Sequence, residues 1–151
     1  CSEGIATYLQ YQAMYANYML DWNTTIDRMT NSLSRAQSPP VYQGQSIENV
    51  SRLYPRIQNF PYLYWGGAVY FMRVDSALYQ QKKVRLHTII RKYMECCHQI
   101  SRSSAQDMIN TFDRISESTV FADTYQSPGF PDYFEALNWL KNNPPPLVNT
   151  Q

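Results

Sequence analysis

Histidine, cysteine and glycine are scarce in this 151-residue sequence, which holds two, three and five of them. With His87 and His98 as the only imidazoles and no C-x-x-C pair, the chain lacks the ligand spacing of a structural zinc site. Three cysteines do not make a disulfide scaffold, and Cys96 and Cys97 are adjacent, a poor geometry for pairing with each other. Neither sign of charge dominates: the formal net charge is +1, so no general attraction to nucleic acid or anionic lipid is implied. Long apolar runs are missing too. The longest, Phe60 to Met72, spans thirteen residues and ends at Arg73, short of the roughly twenty that a membrane span needs. No transmembrane segment is expected. No initiator Met precedes Cys1, and no charged segment followed by an apolar one, as in a signal peptide, follows it. Cys1 is therefore expected to be either a processed terminus or a cut within a larger protein.

What the sequence has is tyrosine, 13 of them. Each carries a large apolar body with one polar tip, a composition suited to helices that pack in layers or line a cleft. The charges are unevenly placed. Lys82, Lys83, Arg85, Arg91 and Lys92 fall in one acid-free stretch, whereas Asp107, Asp113, Glu117, Asp123, Asp132 and Glu135 mark the C-terminal third. Without interleaved aromatics or a known module, the basic stretch reads as a solvated helix face, and no nucleic-acid partner is expected.

Periodicity predicts an all-α, irregular multi-helix domain of six to eight helices over residues 1–141, with a Pro-rich flexible tail over 142–151. Ile5, Tyr8, Leu9, Met14 and Tyr18 follow the helical period from Glu3 to about Trp22, with Ser2 placed to cap. Further helices are expected from Thr25 to Ala36, Ile47 to Leu53, Tyr62 to Gln81 and Leu86 to Cys97. Three more should cover Ser104 to Ile115 (capped by Ser103 or Ser104), Val120 to Tyr125 and Asp132 to Leu140. Ser38 to Ser46 is a loop by its Pro and Gly content. No run alternates convincingly with period two. Gly66 and Gly67 would each cost about 1 kcal/mol inside a helix, which calls for a helix start, a close backbone approach or room for a ligand.

The opening Glu3-Gly4-Ile5-Ala6-Thr7-Tyr8 resembles the E-G-[FI]-A-x-Y signature of gluzincin zinc aminopeptidases, the group of aminopeptidase N, the leukotriene hydrolases and the glycyl aminopeptidases. Tyr64-Trp65-Gly66-Gly67-Ala68 resembles that family's Y-x-K-G-A, and it follows Glu3 by 61 residues, close to the family's own spacing. The extended pattern to Asp75, Y-x-x-G-A-x6-D, and more loosely the following RLHTIIRKYM, look like the glycyl aminopeptidase branch. The resemblance covers most of residues 2 to 140, although its specific motifs are the two short ones. One departure stands out: Gly66 occupies the place of the usual Lys.

This resemblance implies the helical half of a thermolysin-like catalytic domain. Glu3 would be the third protein ligand of a catalytic zinc, the first two being histidines of an H-E-x-x-H that this sequence does not contain. Two neutral imidazoles and one carboxylate leave such an ion with residual positive charge and an open position for water. Tyr64 would donate its phenolic proton to the oxyanion of the tetrahedral intermediate, as a neutral donor on a rigid ring is suited to do. The implied partners are a peptide substrate and a missing N-terminal part of the catalytic domain. The chain alone should be inactive and hold zinc poorly, since one carboxylate is not a site. Asp75, eleven residues past Tyr64 and about 16 Å along the same helix, is read as a structural carboxylate that caps or pairs with Arg73 or Arg85. Two other readings fit the residues: a lipid-anchored, Tyr-rich helical binding protein processed at Cys1, and an inactive family member acting as a scaffold.

Overall fold

The computed structural model describes residues 2–35, 43–53, 60–97, 104–130 and 132–146, with the side chains of 2–4 and 60–64 excepted. The chain is all-α. Its helices are α1 (Ser2–Ala16), α2 (Trp22–Arg35), α3 (Ile47–Arg52), α4 (Phe60–Lys82), α5 (Leu86–Cys96), α6 (Ala105–Ser116), α7 (Val120–Gln126) and α8 (Phe134–Asn142). Among the described residues there is no strand, only an isolated antiparallel bridge between Gln45 and Phe130.

The longest helix, α4, is the axis of the fold. Ala68, Val69, Tyr70, Phe71, Met72, Val74 and Leu78 are all buried, so α4 is apolar on nearly every side, as expected of a helix enclosed by others. It packs most extensively on α1, with α5, α7 and α8 on its remaining sides. The outer helices follow the amphipathic rule: α2 buries Ile26, Met29 and Leu33, and α6 buries Ile109 and Phe112. Gly66 lies within α4 and meets the expectation of close approach. A Cβ there would stand 2.8 Å from Cζ of the buried Phe130 ring, which packs directly on the helix backbone.

Several helix ends differ from the sequence expectation, each for a local reason. The first helix stops at Ala16 rather than near Trp22. Tyr18 takes a left-handed conformation (φ 63°), and the Met19 amide donates back to the Met14 carbonyl at 2.8 Å. Asp21 then caps the next helix by accepting from the Thr24 amide at 2.7 Å and the Thr24 hydroxyl at 2.9 Å. As a result α2 starts at Trp22, three residues before the predicted Thr25. The last helix starts two residues later than predicted, because Asp132 stays outside it and accepts from the Phe134 amide at 3.1 Å. Ser104 caps α6 as expected, in a reciprocal capping box with Asp107. Ala36, most of the Ser38 to Ser46 loop, Ser103 and the tail beyond Pro146 fall outside the described residues.

The expectation that Cys96 and Cys97 would not pair is corrected, for the two are joined by a disulfide. Inside a helix consecutive side chains diverge by about 100°, but α5 ends at Cys96. Cys97 leaves helical geometry at φ −140°, which frees the second sulfur to turn toward the first.

Candidate functional site

Glu3 lies in the first turn of α1 and Tyr64 near the start of α4. The helices that carry them are the most closely packed pair in the fold. Both side chains fall outside the described ones.

Between these two helices the described residues form a buried polar cluster. The Tyr8 hydroxyl donates to Asp75 Oδ2 at 2.7 Å. The Arg85 guanidinium grips the same carboxylate in a fork, with Nε at 3.1 Å from Oδ1 and Nη2 at 3.1 Å from Oδ2. The Leu86 amide, an unpaired donor at the N-terminus of α5, adds a fourth bond to Oδ1 at 2.9 Å. Asp75 is thus at once ion-pair partner, acceptor for a phenol and helix cap. Of the two arginines offered by the sequence as its partner, Arg85 is the one it takes. Arg73 instead reaches the Pro128 carbonyl at 3.4 Å. Arg85 Nη1 also donates to the carbonyls of Asn143 and Pro144, at 2.9 and 3.3 Å, and its guanidinium lies over the Trp139 ring. It ties α4, α5 and the start of the tail together.

This geometry corrects the reading of the basic stretch as a uniformly solvated face. Lys82, Lys83, Arg91 and Lys92 are exposed, but the Arg85 side chain retains only 11% of its accessible surface. The sequence reading of Asp75 as a structural carboxylate that caps or pairs with an arginine holds; the part it missed is Tyr8, which closes the first motif.

The electrostatics follow from burial. Desolvation, with the Asp75 charge beside it, holds the Tyr8 phenol well above its ordinary pKa, so it remains a hydrogen-bond donor. Burial likewise raises Tyr70, whose hydroxyl donates to the Phe121 carbonyl at 2.8 Å. His87, one residue into α5 from Leu86, is half-buried, and desolvation lowers its pKa. The neighbouring Asp75 opposes that shift, while Arg85 and Arg91 reinforce it. A second carboxylate caps at a distance: Asp113 of α6 accepts from the Phe121 and Ala122 amides at 2.8 and 3.1 Å and so closes the N-terminus of α7. Its desolvation outweighs these bonds and raises its pKa.

Among the described residues no three His, Cys, Asp or Glu side chains gather as metal ligands, and no helix is long and apolar enough to cross a membrane. The fold and this cluster define an all-α multi-helix domain built around a buried Tyr–Asp–Arg tie. No family model, curated protein or solved structure matches the chain.

Proposed function

We propose that this chain is the helical part of the catalytic domain of a gluzincin-type zinc aminopeptidase, with Glu3 as the third metal ligand and Tyr64 as the oxyanion donor. One observation supports the reading: the Glu3 motif is bonded to the pattern that extends from the Tyr64 motif along α4. Tyr8, the last residue of the Glu3 motif, donates to Asp75, which closes the looser extension of the Tyr64 motif, inside the interface of the two helices that bear them. The tie fixes how α1 packs on α4, the helices that carry Glu3 and Tyr64, from a point about 16 Å along α4 from Tyr64.

These residues do not complete a metal site by themselves. They supply one carboxylate, and neither His87 nor His98 sits in an H-E-x-x-H frame. On this reading the imidazoles come from outside the 151 residues. Bound zinc would supply the activated water. This chain's own contributions would be the anionic ligand Glu3 and, at Tyr64, a neutral phenolic donor of the kind that stabilises developing negative charge.

The test uses the full-length polypeptide that carries these residues, assayed on aminoacyl-nitroanilides with and without a chelator. Tyr64→Phe should lower kcat by about 10²- to 10³-fold, the loss typical of one oxyanion donor, with zinc content unchanged. Glu3→Gln should lower zinc content itself. An unchanged kcat in Tyr64→Phe, or a full-length sequence without H-E-x-x-H, ends the proposal.

One observation favours a second reading, an inactive scaffold of the same family. Gly66 stands where the family has Lys, and a Cβ there would already be 2.8 Å from the Phe130 ring, so a lysine does not fit without displacing that ring. Full-length protein that is silent with and without chelator, and that binds peptide without cleaving it, would support this reading over the first.

A further inference from the structure

Away from the two motifs, a cleft of about 360 Å³ opens between α4 and the segment leading from α7 into α8. Arg73, Ser76 and Gln80 form its α4 wall, at the helical spacing that places side chains on one face. Thr124, Asp132 and Glu135 form the opposite wall. The lining is polar, and it brings one cation and two carboxylates into one small space.

These charges do not neutralise one another. Among the described residues the ion pairs are Arg52–Glu48 and Arg85–Asp75. The bond from Arg73 to the Pro128 carbonyl is long, at 3.4 Å. Asp132 commits Oδ1 to the Phe134 amide, and no hydrogen bond of the Glu135 carboxylate occurs among the described residues. Arg85 offers the contrast within the same fold, with every face of its guanidinium engaged. The cleft is therefore lined by one half-buried cation and two exposed carboxylates outside ion-pair distance of one another, in a volume within the range of small-molecule sites.

We propose that this cleft binds a small amino acid carrying a second amine, with its carboxylate at Arg73 and its two ammonium groups at Asp132 and Glu135. A single ammonium leaves one carboxylate unmatched, and a diamine without a carboxylate leaves Arg73 unmatched. A ligand with one negative and two positive groups complements all three. The inference is independent of the peptidase reading, because it uses neither Glu3 nor Tyr64.

The test titrates the chain with L-lysine, Nε-acetyl-L-lysine and cadaverine, following the backbone amide resonances of Ser76, Thr124 and Gly129. L-lysine should bind at least about three-fold more tightly than either comparator, the size expected for one partly exposed charge contact, and added salt should weaken it. Arg73→Gln should erase the advantage of L-lysine over cadaverine. Glu135→Gln should reduce its advantage over the acetylated probe. Both side chains are at the surface of the cleft, and an unchanged far-UV circular dichroism spectrum confirms that each variant is folded. Equal affinity for the three probes, no resonance shift up to about 10 mM L-lysine (a binding free energy weaker than about −3 kcal/mol), or an unaltered preference in Arg73→Gln overturns the assignment.

Discussion

Replacing Asp75 by Ala should be among the most damaging single changes this fold can suffer short of the apolar core. The carboxylate is 1% exposed and accepts four hydrogen bonds, from Tyr8, twice from Arg85, and from the Leu86 amide. Its removal leaves the guanidinium of an 11%-exposed arginine side chain without its counter-charge. Breaking a buried pair in this way costs about 3–5 kcal/mol. The phenol and the helix-end amide also lose their acceptor, but they border the same space, so their penalties overlap with that figure rather than add to it. Against a total stability of about 5–15 kcal/mol for a domain of this kind, the loss is a large fraction.

Tyr8→Phe separates the parts. It deletes one donor and leaves no void, while Asp75 keeps its other three bonds, so the cost is that of one hydrogen bond to a charged group, about 1.5–3 kcal/mol. Urea unfolding followed by far-UV circular dichroism, with linear extrapolation to water, measures both. The decisive species is the double variant. Once the carboxylate is gone the hydroxyl has nothing to donate to. Tyr8→Phe with Asp75→Ala should therefore be no less stable than Asp75→Ala alone, and the coupling energy should equal the whole cost of Tyr8→Phe. A cost below about 1 kcal/mol for Asp75→Ala, or strict additivity in the double variant, would refute the tie between α1 and α4.

Three further outcomes follow from the geometry. Gly66→Ala gains helix propensity of about 1 kcal/mol, but its methyl enters the space of the Phe130 ring. Overpacking costs about 1–3 kcal/mol, so thermal unfolding should show net destabilisation, and a rise in Tm would contradict the close approach. Asp113→Ala strands the Phe121 and Ala122 amides and should cost about 1–2 kcal/mol, as the loss of a helix cap does, with α7 amides exchanging faster in hydrogen-exchange measurements. His87 is held neutral in the fold, its pKa below the unfolded value of about 6.5. The unfolded chain thus takes up the proton first. The stability from this group is fully present above pH 6.5 and is lost as pH falls through the lower folded pKa. Urea midpoints measured across that window should fall on acidification in the wild type and fall less in His87→Gln; identical pH slopes would show that the imidazole is not shielded.

The parts of this fold legible in the sequence were those fixed by local chemistry. The α6 start was readable because Ser104 and Asp107 form a self-contained capping box, and the helical character of α4 because its segment exceeds the usual length of a strand and Tyr64, Ala68, Phe71, Asp75 and Leu78 recur along one face. The end of α1 was not readable: the run of aromatics continues past Ala16, and only the backbone turn at Tyr18 breaks it. Arg85 shows a different limit. In sequence it was offered, with Arg73, as a partner for Asp75, but nothing local chose between the two arginines or set it apart in burial from Lys83 two residues away. The separation comes from position, since α4 ends in a left-handed turn at Lys83, and the chain then returns Arg85 over the side of α4 where Asp75 is buried. The cleft was invisible for the same reason, because Arg73 and Glu135 lie on helices that meet only when folded. The two short motifs behave otherwise. Each was legible as a string, but the bond from Tyr8 of the first to Asp75, seven residues beyond the second, appears only when α1 lies on α4. Spacing alone proposes that two strings belong together; the buried hydrogen bond from Tyr8 to Asp75 gives a physical reason for α1 and α4, which carry them, to pack on one another.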